Sequence, residues 1–312
     1  MIKMYIYLGS NRLNYCIIDT NTKEKLYEKD CYYSLIESLD VNGNISSFKI
    51  SEIINNIQQF INIAQKINCS DVLAIGTPSL RIICNLDELL NQIYDKIGIK
   101  VKILNILEET QLIWKGALFS FNYANNKKNQ IYIVINVDDE ITEISYGIKS
   151  RIIKSFAVPI GTNLPNKMIV SNKIINNNDV YFYHYLDKIF KNYLITLFSY
   201  MRDNTICILT SFSEFFPITI SKSRTHINII NKNLSIISSD TVFNILNDMI
   251  DQKEYFYNKN EKIKEMSLLY ILHYLLYRLN IKKVYYSVLG LIHGLILEKN
   301  IIKYKGVLDH GK

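Results

Sequence analysis

Short apolar runs separated by turn-forming residues open the chain and predict a three-stranded meander over residues 4–9, 13–19 and 25–35. From Ile53 onward the apolar residues recur at every third or fourth position, which predicts an amphipathic helix. The pattern then predicts a strand at 72–75, a helix at 79–97 closed by Gly98, and a strand at 100–104. The strand-helix-strand order predicts parallel pairing.

The same order of elements repeats after the polar segment 124–130. Three strands are predicted at 132–137, 142–147 and 151–158, followed by a helix with an apolar face at 186–198 and a strand at 206–209. Further predicted elements are a hairpin at 226–237, helices at 241–250 and 263–279, a strand at 283–288 and a last helix ending at 298. We therefore predict two domains, at residues 1–125 and 126–305, with a tail at 306–312.

A duplicated meander followed by crossover units is typical of one fold class. This is the α/β, ribonuclease H-like fold of actin-like ATPases, sugar kinases and Hsp70 proteins, in which two domains flank a central cleft that holds phosphates. Because one fold hosts many activities, the element order does not choose among these functions.

Composition narrows the function classes further. The 312 residues carry a net charge of +7 that is scattered along the chain, and no nucleic-acid-binding module is recognised. Five cysteines without C-x-x-C spacing argue against a disulfide framework or a zinc site. With no signal-peptide pattern and no membrane span predicted, we expect a cytoplasmic protein without a membrane or nucleic-acid partner.

Several segments, taken in order, resemble the exopolyphosphatase/guanosine pentaphosphatase (Ppx/GppA) family in its short two-domain form. Residues 7–11 (Tyr-Leu-Gly-Ser-Asn) are similar to its first phosphate loop, D-[LI]-G-S-N-S, and residues 136–143 (Asn-Val-Asp-Asp-Glu-Ile-Thr-Glu) to its second, D-I-G-G-G-S-T-E. Residues 76–81, 108–113 and 287–298 resemble the family's T-x-x-[LR]-R, E-E-A-R-L-I and closing glycine motifs. The resemblance spans residues 5–298.

The resemblance implies hydrolysis of terminal phosphoanhydrides of polyphosphate or guanosine pentaphosphate, with Mg²⁺ as cofactor. It implies Glu109 as catalytic base and Glu143 as a metal ligand. The phosphate-binding residues that it implies are Gly9, Ser10, Asn11, Arg81 and Thr142.

From the residues alone, each of these features also has a purely structural interpretation. Residues 9–11 are then an ordinary hairpin turn, and Arg81 is a surface helix residue. Glu108 and Glu109 are then acids that stabilise a helix N-terminus.

Other family positions are substituted, and most of these substitutions remove features that bind phosphate or metal. The first-loop Asp is Tyr7, which we expect to fill space in the cleft, and the second-loop Asp is Asn136. The glycine triplet is Asp138, Asp139 and Glu140, and the Asp and Arg of the closing motif are Val288 and Ile292. No glycine occurs between Gly161 and Gly290. For the acidic triplet we favour a solvated hairpin tip over a cation site.

Three functions stay open. The first is a family member with lost or strongly reduced hydrolase activity. The second is an active exopolyphosphatase or guanosine pentaphosphate phosphohydrolase, with guanosine tetraphosphate as a further ligand. The third is an ATP-binding relative of the sugar kinases. Because the family often dimerises, we also consider a homodimer.

Overall fold

A computed structural model describes residues 1–22, 24–122, 130–149, 151–163, 179–210, 228–231, 233–251 and 260–298. The chain divides into two compact units, Met1–Glu109 together with the segment that begins at Leu295, and Thr110–Gly294. The predicted junction at residues 125 and 126 and the predicted tail at 306–312 lie outside the described residues and stay predictions.

The first unit contains a five-stranded sheet in the order β3-β2-β1-β4-β5. Its strands are β1 Ile2–Leu8, β2 Arg12–Asp19, β3 Glu24–Tyr32, β4 Asp71–Gly76 and β5 Val101–Ile103. The first three form the antiparallel meander, and β4 and β5 add in parallel to β1 and β4. Alternate residues of β1, Met4, Ile6 and Leu8, enter the core of this unit, as the two-residue period of a strand requires.

Two helices of the first unit, α1 Ser47–Lys66 and α2 Leu86–Ile97, follow from their local sequence. The Ser46 side chain accepts a hydrogen bond from the backbone N–H of Lys49 and caps the start of α1. Gly98 ends α2 at a φ of +76°, in the left-handed conformation that costs glycine least.

The single helix predicted over residues 79–97 is wrong. A short 3-10 helix, Pro78–Ile82, comes first, and α2 begins only at Leu86. Between them, the Asn85 carboxamide bonds to both the N–H and the carbonyl oxygen of Ile45, at 2.7 and 3.0 Å. Asn85 and Ile45 are forty residues apart in sequence. Their contact fixes the short segment between the 3-10 helix and α2, which belongs to neither helix.

The second unit contains a seven-stranded sheet in the order β10-β11-β12-β9-β6-β7-β8. Its strands are β6 Ile131–Val137, β7 Thr142–Ile148, β8 Arg151–Val158, β9 Ile206–Thr210, β10 Asn228–Asn231, β11 Leu234–Ser238 and β12 Lys283–Ser287. The described helices of the rest of the chain are α3 Ile106–Asn122, α4 Asp179–Phe198, α5 Ser239–Asp251, α6 Asn260–Arg278 and α7 Leu291–Leu297.

The two sheets repeat one topology. In the second sheet β8-β7-β6 form an antiparallel meander, and β9 and then β12 add in parallel. This order matches β3-β2-β1-β4-β5 of the first sheet, and the antiparallel hairpin of β10 and β11 is an addition. The duplicated α/β architecture predicted from the sequence is confirmed.

Within the second unit, α3 and α7 approach each other at backbone distance. A Cβ atom on Gly116 of α3 would lie 1.9 Å from the carbonyl oxygen of Gly290. A Cβ on Gly294 of α7 would lie 1.8 Å from the carbonyl oxygen of Leu112. These glycines are therefore required by helix packing.

None of the described helices has both the length and the apolar character needed to span a lipid bilayer.

Candidate functional site

The turn between β1 and β2 is held by backbone hydrogen bonds. The Gly9 N–H donates to the carbonyl oxygen of Arg12 at 2.8 Å. The carbonyl oxygens of Ser10 and Asn11 accept from the N–H groups of Leu35 and Tyr33, at 3.1 and 2.9 Å. The Tyr33 hydroxyl donates to the carbonyl oxygen of Gly9 at 3.1 Å. The segment after β3 therefore fixes the shape of this first loop.

Tyr7 lies beside this loop and is buried. Its ring atom Cε1 would be 3.2 Å from a Cβ placed on Gly9, so the phenol packs directly against the turn. The position at which the family carries a carboxylate thus holds an aromatic ring in the first unit.

Arg81 lies in the 3-10 helix Pro78–Ile82 and is exposed. Its guanidinium nitrogen Nη2 donates to the carbonyl oxygens of Ile103 and Leu104, at 3.3 and 3.2 Å. Arg81 therefore ties this 3-10 helix to the end of β5.

The two adjacent acids of α3 have different environments. The Glu108 carboxylate accepts from the Asn105 N–H at 2.9 Å, while the Asn105 side chain accepts from the Glu108 N–H at 2.9 Å. This reciprocal pair is a capping box, so the helix N-terminus interpretation holds for Glu108. Glu109 is buried and has no part in the box.

The charge of Glu108 is also stabilised. Partial burial opposes ionisation, but the hydrogen bonds from Lys102, at 2.6 Å, and from the Asn105 N–H outweigh it and lower the pKa of Glu108. Because the folded-state pKa is lowered, the stabilisation is present at neutral pH and is lost as the pH falls through that pKa.

We expect Asn105→Ala to lower the free energy of unfolding by ~1 kcal/mol, because the first turn of α3 loses its capping acceptor. Urea denaturation at pH 7 measures this loss. Asn105→Ser keeps a capping oxygen and is expected to lose only a few tenths of that amount. Equal losses in both variants would show that the cap does not contribute.

The second loop, residues 138–141, is a tight hairpin between β6 and β7. The strands pair Val137 with Thr142, and the Asp138 N–H donates to the carbonyl oxygen of Ile141 at 2.9 Å. The Asp138 carboxylate oxygen Oδ1 accepts from the Asp139 N–H at 2.9 Å. A backbone donor of the loop is thus bound by the loop's own carboxylate.

The other two acids of the loop also have partners. Asp139 accepts from the Thr162 hydroxyl at 2.8 Å and lies 3.3 Å from the Lys264 ammonium. Glu140 accepts from the Asn163 carboxamide at 3.1 Å. The acids lie at a hairpin tip as expected, but all three are half-buried and hydrogen-bonded, so the tip is less solvated than the sequence predicted.

The backbone of residues 161–163 packs against the same hairpin. The N–H groups of Thr162 and Asn163 donate to the carbonyl oxygens of Asp138 and Asp139, at 2.9 and 2.8 Å. A Cβ on Gly161 would lie 2.2 Å from the Asp138 carbonyl oxygen. Gly161 therefore permits a close backbone approach to the acidic loop, and within the described ranges no three His, Cys, Asp or Glu residues are grouped as a metal site.

The structure also shows the environments of three further family positions, Thr142, Ile292 and Val288. The Thr142 hydroxyl donates to the carbonyl oxygen of Ile160 at 2.7 Å, and its side chain is buried. Ile292 is buried, whereas Val288 is 46 % exposed.

Glu143, on β7, is a buried acid of the second unit. Its carboxylate accepts from the Thr110 hydroxyl at 2.6 Å and from the Asn136 carboxamide at 3.2 Å. Burial raises the pKa of Glu143 to about 7; the two hydrogen bonds oppose that rise, and the nearby Asp138 carboxylate adds to it. The structure therefore brings Asn136 and Glu143 together around one protonatable carboxyl group.

Comparison with known proteins settles the family. The model of the Ppx/GppA phosphatase family matches residues 18–300. This chain belongs to the Ppx/GppA phosphatase family. Exopolyphosphatase 1 of Mycobacterium leprae (strain TN) is 20 % identical over 159 residues, which cover 49 % of this chain and 45 % of that protein.

Solved structures of the Ppx/GppA family share the fold. The Aquifex aeolicus family member has a TM-score of 0.75 at 14 % identity, covering 95 % of this chain and 96 % of that one. An exopolyphosphatase from Cytophaga hutchinsonii has a TM-score of 0.75 at 16 % identity, covering 95 % and 97 %. These likenesses confirm that the chain has the duplicated α/β fold of the Ppx/GppA structures.

Sequence reasoning missed four residues around the Ppx/GppA motifs: Thr110, Thr162, Asn163 and Lys264. Thr110 directly follows Glu109 and lies within the motif at residues 108–113, so its position could have indicated it. Thr162 and Asn163 directly follow Gly161, outside the motifs named above. Lys264 lies in α6, 125 residues from Asp139, and no local pattern marks it.

Proposed function

We propose that this chain is a Ppx/GppA phosphatase-like protein whose phosphoanhydride hydrolase activity is lost or strongly reduced. The observation that carries the proposal is the second loop. There, the Asp138 carboxylate accepts the Asp139 N–H, a donor of the type that a glycine-rich loop offers to phosphate.

Charge in the same loop supports the proposal. Asp138, Asp139 and Glu140 place three carboxyl groups where the family resemblance expects glycines. Two unit charges of one sign at about 4 Å repel by ~1 kcal/mol in water and by ~4 kcal/mol at an effective dielectric constant of ~20. The Lys264 ammonium lies 3.3 Å from the carboxylate of Asp139, and the loop carries three acidic side chains where glycines would carry none.

The Asn136 and Glu143 pair supports it further. Oxygen ligands with negative charge favour Mg²⁺, and the family pattern supplies two carboxylates at these positions. Here one is a neutral carboxamide, and the other has its pKa raised to about 7 by burial. Both side chains fit a magnesium ion by oxygen type, but their combined charge at neutral pH is below that of one full carboxylate.

Phosphate release from polyphosphate and from guanosine pentaphosphate, each with Mg²⁺, tests the proposal. We expect release by this chain at the level of a protein-free control, under conditions in which the Cytophaga hutchinsonii exopolyphosphatase serves as the positive control. Metal-dependent release that disappears in Glu109→Gln would overturn the proposal, because it would assign Glu109 as a working base.

A matched pair of loop variants isolates the role of Asp138. Asp138→Gly frees the Asp139 N–H, whereas Asp138→Asn removes the charge but keeps an acceptor oxygen. Titration calorimetry with pyrophosphate is expected to show binding gained by the glycine variant beyond any gain in the asparagine variant. Equal pyrophosphate binding by the two variants would mean that the charge of Asp138, and not its hydrogen bond, prevents binding.

An active hydrolase is the second candidate, because Glu109, Glu143 and the Gly9-Ser10-Asn11 turn are retained. In that case Glu109 would act as base, Arg81 and the first loop would bind phosphate, and Glu143 would bind Mg²⁺. The same assay separates the candidates. Thermal stabilisation by ATP with no response to polyphosphate would instead favour an ATP-binding protein.

A further inference from the structure

A cavity of about 350 Å³ lies in the second unit between the start of α5 and the end of α6. The turns that lead from β11 into α5 and from α6 into β12 meet there. The Ser239 N–H donates to the carbonyl oxygen of Lys282 at 3.0 Å and joins the two turns. This hydrogen bond fixes the lining residues Ser239 and Lys282 relative to each other.

This cavity is remote from the acidic loop. Strands β6, β9 and β12 are parallel, and Asn136 lies near the carboxyl end of β6. The cavity lies beside Lys282, just before β12 begins at Lys283, and so at the amino ends of these strands. The cavity and the acidic loop therefore lie at opposite ends of the parallel strands of one sheet. Variants at one location can be tested without changing the other.

Three aromatic side chains form one wall of the cavity. The rings of Phe243 and His273 are 4.8 Å apart and inclined by 29°, and those of His273 and Tyr277 are 6.4 Å apart and inclined by 30°. The Tyr183 hydroxyl and His273 Nδ1 share a hydrogen bond, which orients the middle ring. Phe243 is 43 % exposed and Tyr277 is 73 % exposed, so ring surface remains open to a ligand.

Polar groups surround this wall. Asn280, at a φ of +51°, ends α6 in a Schellman motif. Its N–H donates to the carbonyl oxygen of Tyr277 at 3.1 Å, and the Ile281 N–H donates to the carbonyl oxygen of Leu276 at 2.9 Å. Asp240, in the first turn of α5, also lines the cavity. A carboxamide and a carboxylate thus stand beside open aromatic surface.

We propose that this cavity binds a planar aromatic heterocycle that carries N–H donors and has the size of a purine. Ring faces such as Tyr277 and Phe243 stack on bases, and the cavity volume lies at the lower end of the range of small-molecule sites. The Asp240 carboxylate accepts ring or exocyclic N–H groups, and the Asn280 carboxamide pairs with a donor-acceptor edge.

Saturation-transfer NMR with adenosine and guanosine tests the proposal on the full chain. Neither probe carries phosphate, so the outcome is independent of hydrolase activity. We expect transfer to the base protons of at least one nucleoside and none to free ribose. Tyr277→Ala and Phe243→Ala are each expected to weaken binding about fivefold or more, and both positions are exposed enough for the variants to fold.

Tyr94→Ala is the matched control, because Tyr94 is a half-exposed tyrosine of α2 in the first unit. We expect its affinity for the nucleosides to equal that of the unmodified chain. No saturation transfer at millimolar nucleoside, or equal affinity in the Tyr277, Phe243 and Tyr94 variants, would overturn the proposal.

Discussion

Replacing Gly294 with alanine is expected to lower the free energy of unfolding by ~3 kcal/mol or more, since the new Cβ would lie 1.8 Å from the carbonyl oxygen of Leu112. Helix propensity alone predicts the opposite sign, because alanine in a helix interior is favoured over glycine by ~0.5–1 kcal/mol. Gly116→Ala, whose Cβ would meet the carbonyl oxygen of Gly290 at 1.9 Å, is expected to behave likewise.

Urea denaturation of the variants measures this effect. Gly98→Asn is the control, because no heavy atom lies within 4 Å of its Cβ position and asparagine tolerates the left-handed conformation. We expect the control to lose less than ~1 kcal/mol. A Gly294→Ala variant as stable as the unmodified chain would mean that α3 and α7 do not pack at this distance.

Ionisation of Glu143 is expected to make the protein less stable as the pH rises. Burial raises its folded-state pKa from 4.5 to about 7, so between these values the folded chain holds a proton that the unfolded chain has released. The free energy of unfolding therefore falls with rising pH across this window. At ~1.4 kcal/mol for each pKa unit, the total fall is about 3 kcal/mol.

Glu143→Gln is the variant that measures this effect, because it keeps the side-chain shape without the titrating proton. The difference in unfolding free energy between Glu143→Gln and the unmodified chain is expected to grow in favour of the variant from pH 4.5 to pH 7 and then to level off. Thr110→Val removes a hydrogen-bond donor that lowers the pKa of Glu143. In this variant the fall in unfolding free energy is therefore expected to extend to higher pH. A difference independent of pH would contradict the assignment.

Local sequence patterns predicted most of the strands and helices, because these depend on hydrophobic period. Strand β8, predicted at residues 151–158, has these bounds in the structure. The helix predicted at 79–97 failed because its interruption depends on Asn85 binding Ile45, a contact that no local pattern reveals. Hydrophobic periodicity therefore does not predict long-range side-chain contacts.

The candidate site follows the same rule. The motifs located the two loops, whereas the structure showed that Asn136 and Glu143 pair on adjacent strands and share a hydrogen bond. The sequence could not predict that Asp139 meets Lys264, because 125 residues separate them. Nor could it show that Gly161, Gly116 and Gly294 are needed for close backbone approach, which depends on tertiary packing.

The hydrogen bond from the Asp139 N–H to the Asp138 carboxylate also sets a concentration scale. Any anion that seeks this donor competes with a carboxylate attached to the adjacent residue, which cannot diffuse away. A ligand on a short tether acts at a local concentration of ~mM or above. An anion of the same intrinsic affinity for this N–H is therefore expected to need a concentration of ~mM or above to displace the Asp138 carboxylate.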